Sequence, residues 1–484
     1  MFSTVIQFFI VTLIVLLNIP QCFGAEITVF NNNFSMLSSE NFFNDNSLDS
    51  LQVELWNKTF GGIYDDWGYS IEKTIDNGSI IIGFTQSFGS GGSDVWLVKT
   101  DSDGNEQWNK TLGGPNNDYG TSVKQDSDNG YILVGQTESY GLGLSDLWII
   151  KTDLFGNEIW NKTYGGNEAE SGFSIQHSSD NSYIITGLTG SYGAGSYDMW
   201  LLKIDSDGNE IWNKTYGGIE RDVAYSVQKT SNGECILVGR TESYGKGGVD
   251  GWIVKTDSDG NELWNRTFGG KEYDCIIDVN LTSEGGFMLI GNSVSYGNDL
   301  WLIKTNSMGV EEWNKTFGGN HSEVGFSIQR INNGNYIISG YTNSFGAGDC
   351  DAWIIKTDSN GNELWNKTFG GKEDDRAYSI VKISDEEYLF TGYTESYGAG
   401  EQDLWLLRFV DQSKPKITFL FGYVTNLTNY DNMTRFRVQN LLYVTFRPLN
   451  IGSYSYGEEI IVQQLIAFKF KENTSLIIGF YRIF

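Results

Sequence analysis

The chain is poor in proline, cysteine and histidine, with 4, 4 and 2 of these residues among 484. Scarce proline and the lack of a Gly-X-Y period exclude a collagen-like chain. His177 and His321 lie in non-equivalent contexts, which argues against a histidine metal cluster and a Ser-His triad. One cysteine, Cys22, lies just after the N-terminal apolar run at residues 5–19. The other three are odd in number, so we expect buried thiols and no disulfide framework.

Positive charge is also scarce, since 33 Lys and Arg face 61 Asp and Glu and the net charge is −28. The bulk of the chain shows no basic patch, and a nucleic-acid partner is therefore not expected. Residues 414–484 are the exception, with eight Lys or Arg against four Asp or Glu. We expect this basic region to dock on the acidic body or to attach to the cell envelope.

No helical period runs through the chain, but two tryptophan series do. Each series steps by 52 residues with one step of 49, and a period near 50 is typical of propeller or solenoid arrays. One series lies in W-N-K/R-T: Trp56, Trp108, Trp160, Trp212, Trp264, Trp313 and Trp365. The other lies in D-x-W: Trp96, Trp148, Trp200, Trp252, Trp301, Trp353 and Trp405.

Each repeat is predicted to form four short strands joined by turns rich in Gly, Asn and Asp. In residues 118–165 these strands are 121–125, 131–137, 147–152 and 159–164. The array opens with a lone fourth strand, 55–60, and ends with a third strand, 404–409. The N-terminal strand can therefore complete the last unit and remove two open sheet edges. The strands at which the array begins and ends therefore predict an all-β, seven-bladed β-propeller closed by the N-terminal strand.

The repeated motifs are G-G-x-x-x-D, D-G-G-Y-I-I-x-G-x-T, S-Y-G-x-G-x-x-D-x-W and D-x-x-G-N-E-x-W. Over about residues 54–409 they resemble the repeats of secreted β-propeller proteins of archaea and bacteria. The resemblance implies a propeller on an exported or cell-surface protein. It implies little about activity, because proteins of this kind are largely uncharacterised.

The flanks differ from the repeats. Residues 1–24 are predicted to be a cleaved signal peptide, with an uncleaved anchor and a lipoprotein cysteine at Cys22 as alternatives. Residues 25–53 are expected to form a poorly ordered leader, and residues 54–410 the propeller. Residues 414–484 contain four alternating apolar runs and are expected to form a small β-rich module, with no transmembrane segment beyond the signal region.

Fourteen carboxylates recur on loops expected to share one propeller face. We call the first set the junction acids: Asp66, Asp118, Glu170, Asp222, Asp274, Glu323 and Asp375. We call the second set the hairpin acids: Asp94, Asp146, Asp198, Asp250, Asp299, Asp351 and Asp403. They could bind Ca²⁺ as a cofactor, or a cationic partner. Sevenfold recurrence instead favours a structural role, in which each acid caps its glycine-rich turn.

Departures from the repeat are more informative about a unique site. Residues 295–299 form a loop that is three residues shorter than its counterparts and is predicted to open a notch on the acidic face. The same blade has Asp278 where the other copies have Ser. His321 follows on the same face. The turn 257–262 resembles a calcium loop without the full EF-hand spacing.

Glycosylation sequons also recur on the outer strand of every unit. Their asparagines are candidate glycosylation sites on an exported chain, although Asn and Thr also suit an exposed strand. They are Asn57, Asn109, Asn161, Asn213, Asn265, Asn314 and Asn366.

The function predicted from these features is binding or scaffolding of the adhesion type, by an exported propeller with an acidic ring face and a glycan or protein partner. The alternative is a carbohydrate-active enzyme, a glycosidase or lyase, that uses carboxylates on that face. No catalytic residue is assigned, because a glycosidase needs paired carboxylates in unique settings and these acids are repeated.

Overall fold

A computed structural model describes residues 51–412, apart from residue 179, and four strands between residues 418 and 481. The described chain is built from β-strands, and its single helical element is a 3₁₀ turn at Asn332–Gly334. It divides into a compact unit of residues 50–412 and a second unit that contains the C-terminal strands.

The larger unit contains seven four-stranded antiparallel sheets, and in six of them the strands are consecutive in the chain. Blades one to three are β2 (Asp66–Lys73), β3 (Ser79–Thr85), β4 (Asp94–Thr100), β5 (Glu106–Leu112); β6 (Asp118–Gln125), β7 (Tyr131–Thr137), β8 (Asp146–Thr152), β9 (Glu158–Tyr164); and β10 (Glu170–His177), β11 (Tyr183–Thr189), β12 (Asp198–Ile204), β13 (Glu210–Tyr216). Blades four to six are β14 (Asp222–Lys229), β15 (Cys235–Thr241), β16 (Asp250–Thr256), β17 (Glu262–Phe268); β18 (Asp274–Leu281), β19 (Phe287–Ser293), β20 (Asp299–Thr305), β21 (Glu311–Phe317); and β22 (Glu323–Arg330), β23 (Tyr336–Thr342), β24 (Asp351–Thr357), β25 (Glu363–Phe369).

The seventh blade joins the two ends of the array. It comprises β26 (Asp375–Lys382), β27 (Glu387–Thr394), β28 (Asp403–Gln412) and β1 (Leu51–Phe60), in the order β1-β28-β27-β26. β1 runs antiparallel to β28, with Phe60 opposite Leu404. The closed seven-bladed propeller predicted from the repeat phase is therefore confirmed. β1 begins three residues before the predicted propeller boundary; the signal peptide and the rest of the leader lie outside the described residues.

The core lies in layers between adjacent blades. In the layer between blades two and three, Ile132 and Ile149 of one sheet pack with Ile185 and Trp200 of the next. The second and third strands of each blade are almost wholly buried, because sheet neighbours cover both of their faces. The D-x-W tryptophans are consequently at most 3% exposed.

The smaller unit contains a four-stranded antiparallel sheet in the order β30-β29-β32-β31. Its strands coincide broadly with the four predicted apolar runs. They are β29 (Thr418–Tyr430), β30 (Met433–Thr445), β31 (Leu465–Phe470) and β32 (Thr474–Tyr481). Within the described ranges, no helix combines the length and apolar character needed to cross a membrane.

Candidate functional site

The junction and hairpin acids meet in pairs at every boundary between blades. Asp94 begins β4 of blade one and Asp118 begins β6 of blade two, with Gly113 between them. A Cβ atom on Gly113 would collide with the Asp94 carboxylate and lie 2.8 Å from Asp118 Oδ2, so this close approach requires glycine. The seven pairs are Asp403 with Asp66, Asp94 with Asp118, Asp146 with Glu170, Asp198 with Asp222, Asp250 with Asp274, Asp299 with Glu323, and Asp351 with Asp375.

The junction acids are fully buried and are surrounded by hydrogen-bond donors. Asp118 accepts a bond of 2.8 Å from the Gly114 N–H and one of 2.7 Å from the Ser139 hydroxyl. Its other oxygen accepts a bond from the Thr137 hydroxyl. Gly114 is the second glycine of the G-G motif, so motif and acid form one turn. Each carboxylate thus ties the start of its blade to the second hairpin of the same sheet.

The hairpin acids cap the loops that precede them. Asp198 Oδ2, for example, accepts bonds from the Ala194 N–H at 2.9 Å and the Gly195 N–H at 3.1 Å. Its other oxygen faces the junction acid of the next blade. Burial raises the pKa of Asp198, the two N–H groups oppose that rise, and the negative charge of Asp222 adds to it.

Asp299 is the exception, and its shortened loop explains why. The residues that cap the other hairpin acids are missing, and Asp299 Oδ1 is buried with no hydrogen-bond partner in the described part of the chain. Burial raises the pKa of Asp299, and the adjacent Glu323 carboxylate raises it further. His321, which the sequence placed on this face, is exposed, and its backbone N–H donates to Ser344 Oγ at 2.9 Å.

Capping therefore accounts for the hydrogen bonds of thirteen of the fourteen acids. In the described ranges, no group of three or more His, Cys, Asp or Glu is placed to hold a metal ion. The turn at Asp257 follows the same local pattern, since the carboxylate accepts bonds from the N–H groups of Asp259 and Asn261. Binding of Ca²⁺ or of a cationic partner by the acid ring stays a prediction.

A ring of aromatic side chains lies beside the hairpin acids, and sequence reasoning did not single it out. Each blade contributes one ring, from the S-Y/F-G motif of the same loop, and the seven are 42–46% exposed. Tyr140 shows how they are held: its ring lies 5.4 Å from that of Trp148 and its hydroxyl donates to the Gly113 carbonyl at 2.9 Å. We call this set the hairpin aromatics: Phe88, Tyr140, Tyr192, Tyr244, Tyr296, Phe345 and Tyr397.

The sequon asparagines lie on the outermost strands, and most of them are exposed. Asn161 Oδ1 accepts a bond of 3.1 Å from Nε1 of the buried Trp148, and Asn161 Nδ2 donates to Glu158 at 2.6 Å. The same Asn–Glu bond recurs in the other units, as between Asn213 and Glu210. The asparagine thus has a structural role, and its glycosylation stays a prediction.

Replacing Asn161 by alanine should destabilise the protein by about 1–3 kcal/mol, because the buried indole N–H of Trp148 loses its acceptor. The measurement is urea unfolding of protein made in a host that does not glycosylate. Thr163→Ala is the matched control, since it destroys the same sequon but keeps the asparagine. Equal losses from both substitutions would contradict the structural role.

The three described cysteines, Cys235, Cys275 and Cys350, are free and buried. This agrees with the expectation of small apolar thiols and no disulfide framework. Burial raises the pKa of the Cys275 thiol to about 12, so this thiol is protonated and unreactive at neutral pH.

The fold and its repeated sites define a class, the closed seven-bladed β-propeller built from one repeat. No family model matches the chain. The regulatory protein FlaEY of Caulobacter vibrioides is 25% identical over 175 residues, covering 31% of this chain and 18% of that protein. The chain therefore spans less than a fifth of the length of the curated relative that it matches.

Two solved structures show a distant likeness. The Pan2 WD40 domain of Neurospora crassa is 11% identical with a TM-score of 0.46, covering 74% of this chain and 95% of that chain. A protein of unknown function from Dyadobacter fermentans is 11% identical with a TM-score of 0.41, covering 74% and 99%. Likeness at this level concerns the fold alone, and the propeller architecture here rests on the chain's own seven sheets.

Proposed function

We propose that this chain is an exported binding protein of the secreted-propeller type, which holds an extracellular glycan or protein partner on its acidic face at several equivalent points. The observation that carries the proposal is the set of hairpin aromatics, in which one half-exposed side chain recurs in all seven blades. Export is supported by the apolar segment at the N-terminus of the sequence. The basic C-terminal module is proposed to attach the protein to the cell envelope.

The aromatic side chains suit binding because they are held in place before a partner arrives. Tyr192 lies 5.8 Å from Trp200 and donates to the Gly165 carbonyl at 2.7 Å, as its counterpart Tyr140 does in the previous blade. A rigid tyrosine offers a broad apolar surface at low entropic cost. Sugar rings and apolar protein side chains both pack on such surfaces.

Sevenfold repetition adds avidity, since a partner with repeated units can engage several blades at once. Loss of one aromatic side chain should then weaken binding by a few-fold, and loss of three adjacent ones by more than about tenfold. The test is binding of the mature chain to arrays of extracellular polysaccharides and surface proteins. The substitutions are Tyr140→Ala alone and Tyr140→Ala, Tyr192→Ala and Tyr244→Ala together.

Ile211→Ala is the matched control, because Ile211 is 51% exposed on an outermost strand away from the hairpin loops. It should bind as the unchanged protein does. Equal binding by the triple variant, in a protein that unfolds at the same temperature, would remove the basis of the proposal.

A carbohydrate-active enzyme is the second candidate, and the uncapped Asp299 favours it. A carboxyl whose pKa is raised by burial and by a second carboxylate beside it is the arrangement expected of a general acid. Glu323 would be its partner, although its own oxygens accept bonds from Thr342 at 3.0 Å and from the Gly319 N–H at 3.2 Å. Turnover of a polysaccharide that disappears in Asp299→Asn but persists in Asp351→Asn would favour the enzyme.

A further inference from the structure

The central channel of the propeller contains a polar cavity of about 240 Å³. Its wall is formed by the innermost strands, each of which contributes the residue that follows a β-bulge. In six blades that residue is a serine: Ser70, Ser122, Ser174, Ser226, Ser327 and Ser379. In blade five it is Asp278, the departure from the repeat noted in the sequence.

Asp278 places a single carboxylate in this ring of hydroxyls. It accepts bonds from Ser226 Oγ at 2.8 Å, from its neighbour's N–H at 2.8 Å and from the Ile328 N–H at 3.0 Å. The first and last of these come from the two adjacent blades. The carboxylate is consequently fixed in one orientation. Oδ1 accepts two of these bonds and Oδ2 accepts one, so Oδ2 has capacity for a further bond.

The rest of the lining supplies both donors and acceptors. Gln176 and Gln228 contribute amides, and Lys124 and Arg330 contribute cationic groups. Lys124 forms an ion pair of 3.0 Å with Glu72. A cavity with two cationic side chains is poorly suited to a metal ion, and its mixed donors and acceptors match hydroxyl groups, which both give and take hydrogen bonds.

An aromatic bulge residue precedes the wall serine in five blades, whereas the bulge residue is Thr121 in blade two and Ile277 in blade five. Bulge residues of adjacent blades touch: Phe173 lies 5.6 Å from Tyr225, and Phe326 lies 4.8 Å from Tyr378. Within the described part of the chain, the residues that line the cavity include none of these aromatic side chains. Recognition in the cavity therefore rests on hydrogen bonds to the hydroxyl groups of a ligand.

We propose that this cavity binds a small uncharged polyhydroxy compound, either a free monosaccharide or the terminal sugar of a glycan, with Asp278 accepting bonds from its hydroxyls. The cavity volume of about 240 Å³ is below the roughly 300–1,000 Å³ of pockets for drug-sized ligands, which limits its occupant to a small compound such as one sugar. The proposal does not depend on binding at the hairpin aromatics.

The test is calorimetry and saturation-transfer NMR on the mature full chain, with a panel of monosaccharides, their methyl glycosides and short oligosaccharides as probes. At least one sugar should bind, and Asp278→Ser should weaken it at least tenfold. That substitution gives blade five the residue of the other six blades. Binding of oligosaccharides but not of free sugars would identify the glycan terminus as the source.

Gln228→Ala is a second variant, which loses a lining amide but keeps the bonds of Asp278 to its neighbours; it should also weaken binding. Asp259→Ser, at an exposed turn, is the control and should not. The triple tyrosine variant should still bind the free sugar, which would distinguish this site from the hairpin aromatics. No binding across the panel, equal affinity in Asp278→Ser, or an Asp278-dependent Ca²⁺ site in place of a sugar site would overturn the proposal.

Discussion

Deletion of residues 25–62 should abolish the cooperative unfolding of the propeller. β1 supplies the outermost strand of blade seven. It pairs with β28, which comes from the opposite end of the propeller sequence, and this pairing closes the propeller. Trp56 and Phe60 also pack on the layer between blades seven and one, against Trp96 and Leu406. The loss is of order 5 kcal/mol or more, comparable with the whole stability of a typical domain, ~5–15 kcal/mol.

Thermal and urea unfolding followed by circular dichroism would measure the effect. Deletion of residues 25–48 alone is the control, because it leaves β1 in the chain, and it should unfold as the mature protein does. A synthetic peptide of residues 49–62 should restore part of the transition to the shorter chain. A protein without β1 that unfolds at the unchanged temperature would contradict closure by this strand.

Asp118→Ala should cost about 3–5 kcal/mol, whereas Asp146→Asn should leave stability at pH 7 unchanged or raise it. The two acids belong to the two sets that meet at blade boundaries. Alanine at position 118 leaves two buried donors, on Gly114 and Thr137, without an acceptor, at about 1–3 kcal/mol each. The half-buried Ser139 hydroxyl also loses its acceptor but can turn to another partner. Asparagine at position 146 keeps an acceptor for the Leu142 N–H.

The effect expected at position 146 arises from charge. Burial raises the pKa of Asp146 to about 6, the Leu142 N–H opposes this rise, and the Glu170 carboxylate adds to it. A carboxyl whose pKa is higher in the folded than in the unfolded protein stabilises the fold at pH values below its unfolded pKa. For Asp146 that contribution is lost as the pH rises to about 6. Asp146→Asn should therefore flatten the decline in stability between about pH 4 and pH 6.

Other carboxyls act in the opposite direction at lower pH. Burial would raise the pKa of Asp126, but hydrogen bonds from Lys151 and Tyr183 outweigh it and lower the pKa to about 2. Its contribution is present above the ordinary value of 3.8 and is lost as the pH falls towards 2. We expect the highest free energy of unfolding between these two ranges.

Urea unfolding at several pH values, with Ca²⁺ and with a chelator, would measure both effects. A strong loss from Asp146→Asn at pH 7 would contradict the assignment of a costly buried charge. Stabilisation by Ca²⁺ that disappears in that variant would show a cation at the acid pair, since saturating ligand adds roughly 2.7 kcal/mol at 100 times its dissociation constant.

Much of the fold follows from local pattern. The strand predicted at residues 131–137 has those same limits, and the strand predicted at 121–125 begins three residues earlier, at Asp118. The strand begins earlier because the junction acid Asp118, which accepts a hydrogen bond from the turn at Gly114, already pairs with Thr137 of the neighbouring strand. The position of the acids on one face was also predictable, because strands of known order alternate in direction.

The amino-acid sequence by itself determined the number of blades, the order of strands and the closing phase, since these depend on a short pattern repeated seven times. Only the tertiary structure decided that Asp94 meets Asp118 in the next blade, that thirteen acids are capped, and that Asp278 enters the channel wall. Those outcomes depend on which blades become neighbours when the ring closes and on where each bulge turns its strand. No local pattern of residues contains that information, because the groups concerned lie on different sheets.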